Sequence, residues 1–279
     1  MNYKTIVVHV DASDGAAARI AFAAALARDA GAHLIGMTQT GIYRFVAQTA
    51  VPGVDLSGLT PLFGQLREDA ERRALAFDEA VRGAGVASSE CRIGDEEPET
   101  ALALQALYAD LVVVGRAHGD EQAHPNDAAL PQYVAMNAPC PVLVLPQAGT
   151  PPRGVERVLV AWNASPEASR AVRMALPFLV RARAVDVAVF DADDHGQSGA
   201  PAADAGIGQF LARHGVHATV RHHPAQGDAG AALLALAGTW KADLLVMGCY
   251  GHSRLREIVL GGVSRTVLHR AALPVLLAH

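Results

Sequence analysis

The 279-residue chain carries one sequence pattern twice, and this repeat constrains its fold more than any other feature. Each copy opens with an apolar run that leads into Asp-Ala-Ser or Asn-Ala-Ser, at Asp11 in "TIVVHVDAS" and at Asn163 in "RVLVAWNAS". Each copy closes with a matching pair of runs, "ADLVVVG" and "PVLVLP" in the first and "ADLLVMG" and "PVLLAH" in the second. A pattern repeated at this length predicts two units of the same fold.

The two copies differ in length at one place. The offset between them is 152 residues at Asp11 and 133 residues at Asp110, so the first copy carries 19 additional residues. Turn-forming residues are frequent between Gln39 and Phe63, which predicts that the additional residues form an irregular segment there.

Short β-branched runs alternate with helical stretches of about a dozen residues in each copy. The second copy is predicted to form strands at Val158–Trp162, Asp186–Phe190, Ala218–His222, Leu244–Gly248 and Pro274–Ala278, and helices at Pro166–Arg181, Ala202–His214, Gly227–Trp240 and Gly262–Arg270. This alternation implies right-handed βαβ crossovers and a parallel sheet. The predicted fold class is α/β, with two tandem, doubly wound, five-stranded parallel-sheet domains joined by a linker at 150–154.

The composition excludes several classes of function. Hydrophobic residues make up 51% of the chain, and the formal net charge of -5 offers no general attraction to nucleic acid or to an anionic membrane. The N-terminus has no signal-peptide pattern, and no apolar stretch is long enough to span a bilayer. The three cysteines have no metal-ligand spacing and fit a reducing compartment. We therefore expect a cytoplasmic protein that binds neither nucleic acid nor membrane.

Glycines cluster between the fourth strand and the last helix of the second copy, in "MGCYGHSRLREIVLGGVSR". Gly248 ends the strand, Gly251 follows, and Gly261 and Gly262 open the helix. The N–H groups at a helix N-terminus suit a phosphate group, and Ser264 in the first turn adds a hydroxyl. The spacing favours a phosphate-binding loop, with ordinary turn formation as the alternative interpretation.

With Gly-x2-Gly-x9-Gly after "ADLLVMG", the second copy resembles the universal stress protein family from "VLVAWNASPEASRAV" to "PVLLAH". The first copy is similar in its layout and in its first and last strands. The chain thus resembles the tandem form of the family, with a degenerate domain at 1–149 and a domain that keeps the glycine motif at 154–279. The resemblance implies the fold of the adenine nucleotide alpha hydrolase-like group and binding of ATP, with or without Mg²⁺.

The resemblance also implies a set of binding residues in the second copy. Residues expected around the phosphates and ribose are Gly248, Gly251, Gly261, Gly262, Val263 and Ser264. Ala161 and Asn163 are expected beside the adenosine, and Val189 and Met247 along the adenine. Arg254 is within reach of a phosphate, with solvent exposure as the alternative. The family usually has Asp where Asn163 stands, so this chain keeps an acceptor there but loses a charge.

The first copy lacks most of the glycine motif. His118 occupies the position that corresponds to Gly251, Ala128 that of Gly261, Ala129 that of Gly262 and Pro131 that of Ser264. Gly115, the counterpart of Gly248, is kept. We expect that this copy does not bind ATP in the manner of the family. The resemblance further implies an intramolecular pseudo-dimer in which the last strands, Val142–Leu145 and Val275–Ala278, are in contact, and it leaves a homodimer open.

No catalytic residue and no metal ligand is predicted. Ser165 before Pro166 fits a helix N-cap better than a nucleophile, and no Ser-His-Asp, Cys-His or paired-carboxylate pattern occurs in a nucleophile-like context. The expected function is a stress-response or signalling protein that binds an adenine nucleotide in its C-terminal domain without fast catalysis. Two alternatives stay open: an interaction protein whose glycine loops shape a dimer or partner surface, and a slow ATPase.

Overall fold

The computed structural model describes residues 2–49, 59–116, 130–146, 154–191, 200–224, 227–249 and 262–279. By packing, the chain divides into two compact units, an N-terminal unit at Asn2–Gly115 and a C-terminal unit at Arg116–His279. These units follow contacts between residues, whereas the predicted ranges 1–149 and 154–279 follow the sequence repeat and stay a prediction.

The N-terminal unit contains a four-stranded parallel sheet in the order β3-β2-β1-β4. The described strands are β1 (Thr5–His9), β2 (His33–Gln39), β3 (Ser89–Gly94) and β4 (Leu111–Gly115), and the described helices are α1 (Ala16–Ala30), α2 (Ile42–Thr49), α3 (Thr60–Gly83) and α4 (Pro98–Gln105). Strands β1 and β2, the inner strands of this sheet, are almost wholly buried, as expected for a sheet covered on both faces.

The additional residues of the first copy are not simply irregular. Residues Ile42–Thr49 form α2, and α3 already begins at Thr60, so the prediction of an irregular segment from Gln39 to Phe63 is wrong for these parts. Their helical form has a packing reason: the rings of Phe45 and Phe63 meet edge to face with centroids 6.1 Å apart.

The C-terminal unit contains a six-stranded sheet in the order β5-β10-β9-β6-β7-β8. Its described strands are β5 (Val142–Leu145), β6 (Arg157–Trp162), β7 (Ala184–Asp191), β8 (Ala218–Pro224), β9 (Leu244–Gly248) and β10 (Val275–Ala278), and its described helices are α5 (Leu130–Asn137), α6 (Pro166–Leu179), α7 (Ala200–Arg213), α8 (Ala229–Trp240) and α9 (Val263–Arg270). The elements predicted for the second copy are confirmed within two residues at every boundary.

Strand β5 pairs antiparallel with β10, whereas the other pairings of this sheet are parallel. The register places Val275 opposite Val144 and Leu277 opposite Val142, and both strands are buried along their length. The predicted contact between the last strands of the two copies is therefore confirmed. Burial of these apolar strands explains why β5, which belongs to the first copy by sequence, packs in the C-terminal unit.

The order of the strands creates a switch point beside β6. The chain leaves β6 for β7 on one side, continues to β8, and returns to the opposite side of β6 as β9. In open parallel sheets, ligands bind at the carboxyl ends of the strands at such a switch point. The end of β6 at Trp162 and the end of β9 at Gly248 are therefore the expected position of a site.

Candidate functional site

A cavity of about 180 Å³ lies at the carboxyl ends of β6, β7 and β9. We call it the strand-end cavity. Its lining combines apolar and polar side chains: Ala161, Trp162, Asn163, Ser165, Glu167, Ala168, Phe190, Ala229, Leu233, Met247, Gly248, Val263 and Ser264. These residues come from the ends of three strands and from the first two turns of α6, α8 and α9, as the switch-point rule predicts.

Helix α9 presents its N-terminus to the strand-end cavity. Gly262 is the N-cap residue and has no side chain to bond the first turn, and Val263 and Ser264 follow as the first helical residues. The first N–H groups of a helix have no partner within the helix, and the helix dipole adds partial positive charge there. Ser264 is only 3% exposed, so its hydroxyl is held in place by packing. This arrangement favours an anionic group.

The N-terminus of α6 is capped by its own residues. The hydroxyl of Ser165 accepts a hydrogen bond from the Ala168 amide at 3.1 Å, and the side-chain oxygen of Asn163 accepts one from the Ser165 amide at 3.2 Å. Ser165 is thus a helix N-cap, as predicted, with Pro166 at the first helical position. At least one backbone N–H group at the start of α6, that of Ala168, therefore already has a hydrogen-bond partner within the chain.

Gly248 lets α6 approach β9 closely. A Cβ at this position would lie 2.5 Å from the backbone nitrogen of Ala168 and 2.6 Å from the carbonyl carbon of Glu167. Backbone atoms cannot move aside as a flexible side chain can, so any larger residue would push the helix away from the strand. The structure thus gives Gly248 a packing role in addition to its position on the cavity lining.

Glu167 brings a carboxylate to the cavity. A hydrogen bond from its own backbone amide lowers the pKa of Glu167, burial opposes this effect, and Arg170 and Ser165 also favour the charged form. The guanidinium of Arg170 lies 2.9 Å from the carboxylate, whose side chain is 14% exposed. The cavity therefore contains a negative charge beside α6 and a positive helix end at α9.

The N-terminal unit has a different group of residues at the matching positions. The repeat offsets pair His9 with Ala161, Asp11 with Asn163, and Gly115 with Gly248. Arg19 of α1, the counterpart of Ala171, donates from Nε to the His9 carbonyl oxygen at 2.8 Å and from Nη2 to Asp11 Oδ1 at 2.6 Å. Arg19 and His9 are buried, at 3% and 7% exposed, and the Asp11 side chain is 31% exposed; we call the three residues the His9–Asp11–Arg19 cluster.

The cluster changes the pKa of two of its members. Burial lowers the pKa of His9 to about 4, with Arg19 and Arg73 acting in the same direction and Asp11 opposing them. Burial alone would raise the pKa of Asp11, but Arg19, His9 and the hydrogen bonds from Ser13 outweigh it and lower the pKa to about 2. At neutral pH the cluster therefore holds one partly buried ion pair, Asp11 with Arg19, beside a neutral His9.

The two copies of the repeat are matched by a family model described as "Universal stress protein family", at residues 2–146 and 154–279. The chain belongs to the universal stress protein family. Because the model matches twice, the chain has the tandem form that its sequence predicts.

Solved structures of universal stress proteins have a similar fold. A universal stress protein from Archaeoglobus fulgidus DSM 4304 is 17% identical with a TM-score of 0.76, and the match covers 98% of this chain and 95% of that one. A putative universal stress protein from Pseudomonas aeruginosa UCBPP-PA14 is also 17% identical, with a TM-score of 0.59 and coverage of 99% and 93%. No curated protein gave a match.

Six of the residues predicted from the resemblance to universal stress proteins come together on the strand-end cavity: Ala161, Asn163, Met247, Gly248, Val263 and Ser264. Gly262 immediately precedes two of them as the N-cap of α9. Gly251, Arg254 and Gly261 lie outside the described residues, as do His118, Ala128 and Ala129 of the first copy.

Val189 is buried and is not part of the cavity lining, which the neighbouring Phe190 joins instead. Successive side chains of a strand point to opposite faces, so Val189 and Phe190 lie on opposite faces of the sheet. Sequence reasoning also missed Trp162, Glu167, Ala229 and Leu233. The available signal was positional: Trp162 ends a strand, and the others lie in the first two turns of helices that begin at the ligand-binding edge.

Among the described residues, no group of three or more His, Cys, Asp or Glu side chains is arranged to hold a metal ion. None of the helices described is long and apolar enough to cross a membrane.

Proposed function

We propose that this universal stress protein binds an adenine nucleotide, with ATP as the expected ligand, in the strand-end cavity of its second repeat. The observation that carries the proposal is the cavity itself, which joins apolar side chains at the strand ends to the N-terminus of α9. A nucleotide needs both environments, because its base is flat and largely apolar and its phosphates are anionic.

The apolar side chains fit the base. Phe190, Leu233 and Met247 line the cavity together with Trp162. Burying a planar ring against such side chains removes apolar surface from water, which is the main favourable contribution to binding of this kind. We therefore propose that the adenine lies among these residues and that Asn163 lies beside the ribose.

The charges in the cavity orient the phosphates. The Glu167 carboxylate at the start of α6 is ionised and repels a phosphate, whereas the N–H groups at the start of α9 attract one. We therefore propose that the phosphates extend toward Gly262, Val263 and Ser264 rather than toward α6. The Glu167 carboxylate, which already accepts a hydrogen bond from Arg170, has further lone pairs for a hydroxyl of the ligand.

A binding role fits the residues better than catalysis does. Of the hydroxyls that line the cavity, that of Ser165 already caps α6, and Ser264 has no histidine or carboxylate hydrogen-bonded to it among the described residues. A hydrolase needs a group that orients and deprotonates a water, and the described lining offers none beside α9. We propose a stress-response or signalling role in which nucleotide occupancy, rather than turnover, is the output.

The proposed location is the cytoplasm. None of Cys91, Cys140 and Cys249 forms a disulfide in the described part of the chain, which fits a reducing compartment. Mg²⁺ is an optional part of the proposal, because Asn163 replaces the acid that the family usually has at this position.

Mass spectrometry of the small molecules released when the purified protein is denatured tests the proposal. We expect an adenine nucleotide in the released fraction, and equilibrium dialysis of the stripped protein is expected to rank ATP, ADP and AMP above GTP, with and without Mg²⁺. Absence of a nucleotide from the released fraction, together with no binding of any of the four in dialysis, would reject the proposal and favour the interaction-protein alternative.

A further inference from the structure

The N-terminal unit fills the place that corresponds to the strand-end cavity with one of its own side chains. The Arg19 guanidinium contacts the first-copy counterparts of three cavity-lining residues: the backbone oxygen of His9, the carboxylate of Asp11 and the open face of Gly115. A Cβ on Gly115 would collide with this guanidinium, so the glycine here makes room for Arg19. In the second copy the counterpart of Arg19 is the buried Ala171, which carries no guanidinium, and the face of Gly248 is covered by the backbone of Glu167 and Ala168.

The guanidinium is bound as a ligand would be. Its Nε and Nη2 donors are both used, at 2.8 Å and 2.6 Å, and only 3% of the residue is exposed. A planar fork that meets a carboxylate and a carbonyl at these distances is a strong, directional contact. The Asp11 carboxylate also accepts bonds from the amide and hydroxyl of Ser13 at 2.9 Å and 2.5 Å. Its Oδ1 atom is thus fully committed to the chain.

The groups around the Asp11 carboxylate favour one cationic partner, the guanidinium of Arg19. His9 is neutral at physiological pH, so it adds no competing charge. The other cation near His9 is Arg73 of α3, which is held apart by its own bonds to Thr38 Oγ1 at 3.0 Å and to the Gln39 carbonyl at 2.8 Å. Asp11 therefore balances Arg19, and the cluster needs no external ion.

We propose that Arg19 is the specificity-determining residue that closes the first copy to ligands, because its guanidinium occupies the place that corresponds to the strand-end cavity. The comparison with the open cavity of the second copy rests on the proposed function, but the occupied site itself does not. Removal of the Arg19 side chain therefore creates a vacant site that is lined by Asp11 and the His9 carbonyl oxygen. The ligand that matches this site is a free guanidinium ion.

The experiment is chemical rescue of Arg19→Ala, with Arg28→Ala as the matched control. Arg28 lies on the same helix, but its side chain is half exposed and pairs with the neighbouring Asp29. Thermal unfolding is measured with and without about 10 mM guanidinium chloride, a concentration too low to denature, against sodium chloride at equal ionic strength. We expect the midpoint of Arg19→Ala to rise by about 2–4 °C with guanidinium, and those of the wild type and Arg28→Ala to stay constant.

Equal responses of all three proteins would overturn the proposal. If Arg19→Ala does not fold alone, the same ion is added during refolding from urea: folding only in its presence supports the occupied site, and failure to fold in either condition overturns it.

The reciprocal variant tests the role of this residue in specificity. Asn163→Asp with Ala171→Arg transfers the ion pair to the second copy, and this double variant is expected to bind nucleotide at least tenfold more weakly than Asn163→Asp alone does. Full affinity in a folded double variant overturns the specificity role. Absence of nucleotide binding by the wild type would reject the proposed function only, and the rescue experiment would still decide whether the first copy is closed by Arg19.

Discussion

The backbone nitrogen of Ala168 lies 2.5 Å from the point that a Cβ on Gly248 would occupy. The glycine at the end of β9 is therefore needed for the packing of α6 against the sheet, whether or not a ligand is present. Gly248→Ala is expected to lower the free energy of unfolding by about 1–3 kcal/mol, because helix backbone must move to admit the methyl group. Urea unfolding of the unliganded protein measures this.

Gly238→Ala is the control for the same substitution. Gly238 lies inside α8, and a Cβ there meets no atom within 4 Å. Alanine is the better helix former, so this variant is expected to gain about 0.4–1 kcal/mol. If Gly248→Ala proves as stable as Gly238→Ala, the packing role of Gly248 is wrong.

His9 predicts a pH dependence of stability above pH 4. Its pKa is about 4 in the folded chain and about 6.5 when it is exposed by unfolding, so the unfolded state binds the proton more readily between these values. The free energy of unfolding therefore falls as the pH falls through this window, and His9 contributes a loss of about 2 kcal/mol between pH 7 and pH 5. His9→Gln, which does not titrate, is expected to remove this part of the loss.

Urea unfolding at pH 7 and pH 5 measures the effect, with His214→Gln as a control at an exposed histidine. A wild type and a His9→Gln variant that lose the same stability between the two pH values would contradict the buried, neutral state of His9.

Asp11 and Arg19 are expected to be coupled in stability. Removing either partner leaves the other charge unpaired in a poorly hydrated place, which we expect to cost about 2–4 kcal/mol for each alanine substitution. Because both single losses include the same contact, the double variant should be less destabilised than their sum by about 1–3 kcal/mol. Additive effects in a double-mutant cycle of Asp11→Ala and Arg19→Ala would contradict the ion pair.

The same pair predicts acid sensitivity. The pKa of Asp11 is about 2 in the folded chain and close to 4 when unfolded, so its stabilising charge is fully present above pH 4 and is lost as the pH falls toward 2. The coupling energy in the cycle is therefore expected to be constant from pH 7 to pH 5 and to shrink below pH 4. A coupling that disappeared already at pH 5 would be inconsistent with this assignment.

Most of the fold could be predicted from local sequence patterns. The alternation of apolar runs and helical stretches fixes each strand and helix of the second copy, because burial on both faces leaves strands such as Leu244–Gly248 with few polar residues. The helix at Ile42–Thr49 was not predicted, because the packing of Phe45 on Phe63 that accompanies it is not visible in local turn propensity. The place of β5 likewise depends on its pairing with β10, a contact between distant parts of the chain.

The candidate site was predictable in position but not in all its residues. The glycines and strand ends locate the edge of the sheet, yet the choice of Phe190 over Val189 depends on the face that each side chain takes. The closure of the first copy had a signal in the sequence: Arg19 interrupts an alanine-rich helical stretch at the position of Ala171. That signal acquires meaning only when the fold brings Arg19 to Asp11.

Calorimetric titration of ATP into the wild type, Ala229→Leu and Ala235→Leu tests the central claim most directly. Both alanines lie on α8, but Ala229 lines the strand-end cavity and Ala235 is exposed, so the leucine fills the cavity only in the first variant. We predict one ATP site per chain in the wild type and in Ala235→Leu, and an affinity at least tenfold lower in Ala229→Leu, which corresponds to about 1.4 kcal/mol. Two equivalent sites per chain, or an affinity unchanged in a folded Ala229→Leu protein, would contradict a single nucleotide site in the second repeat.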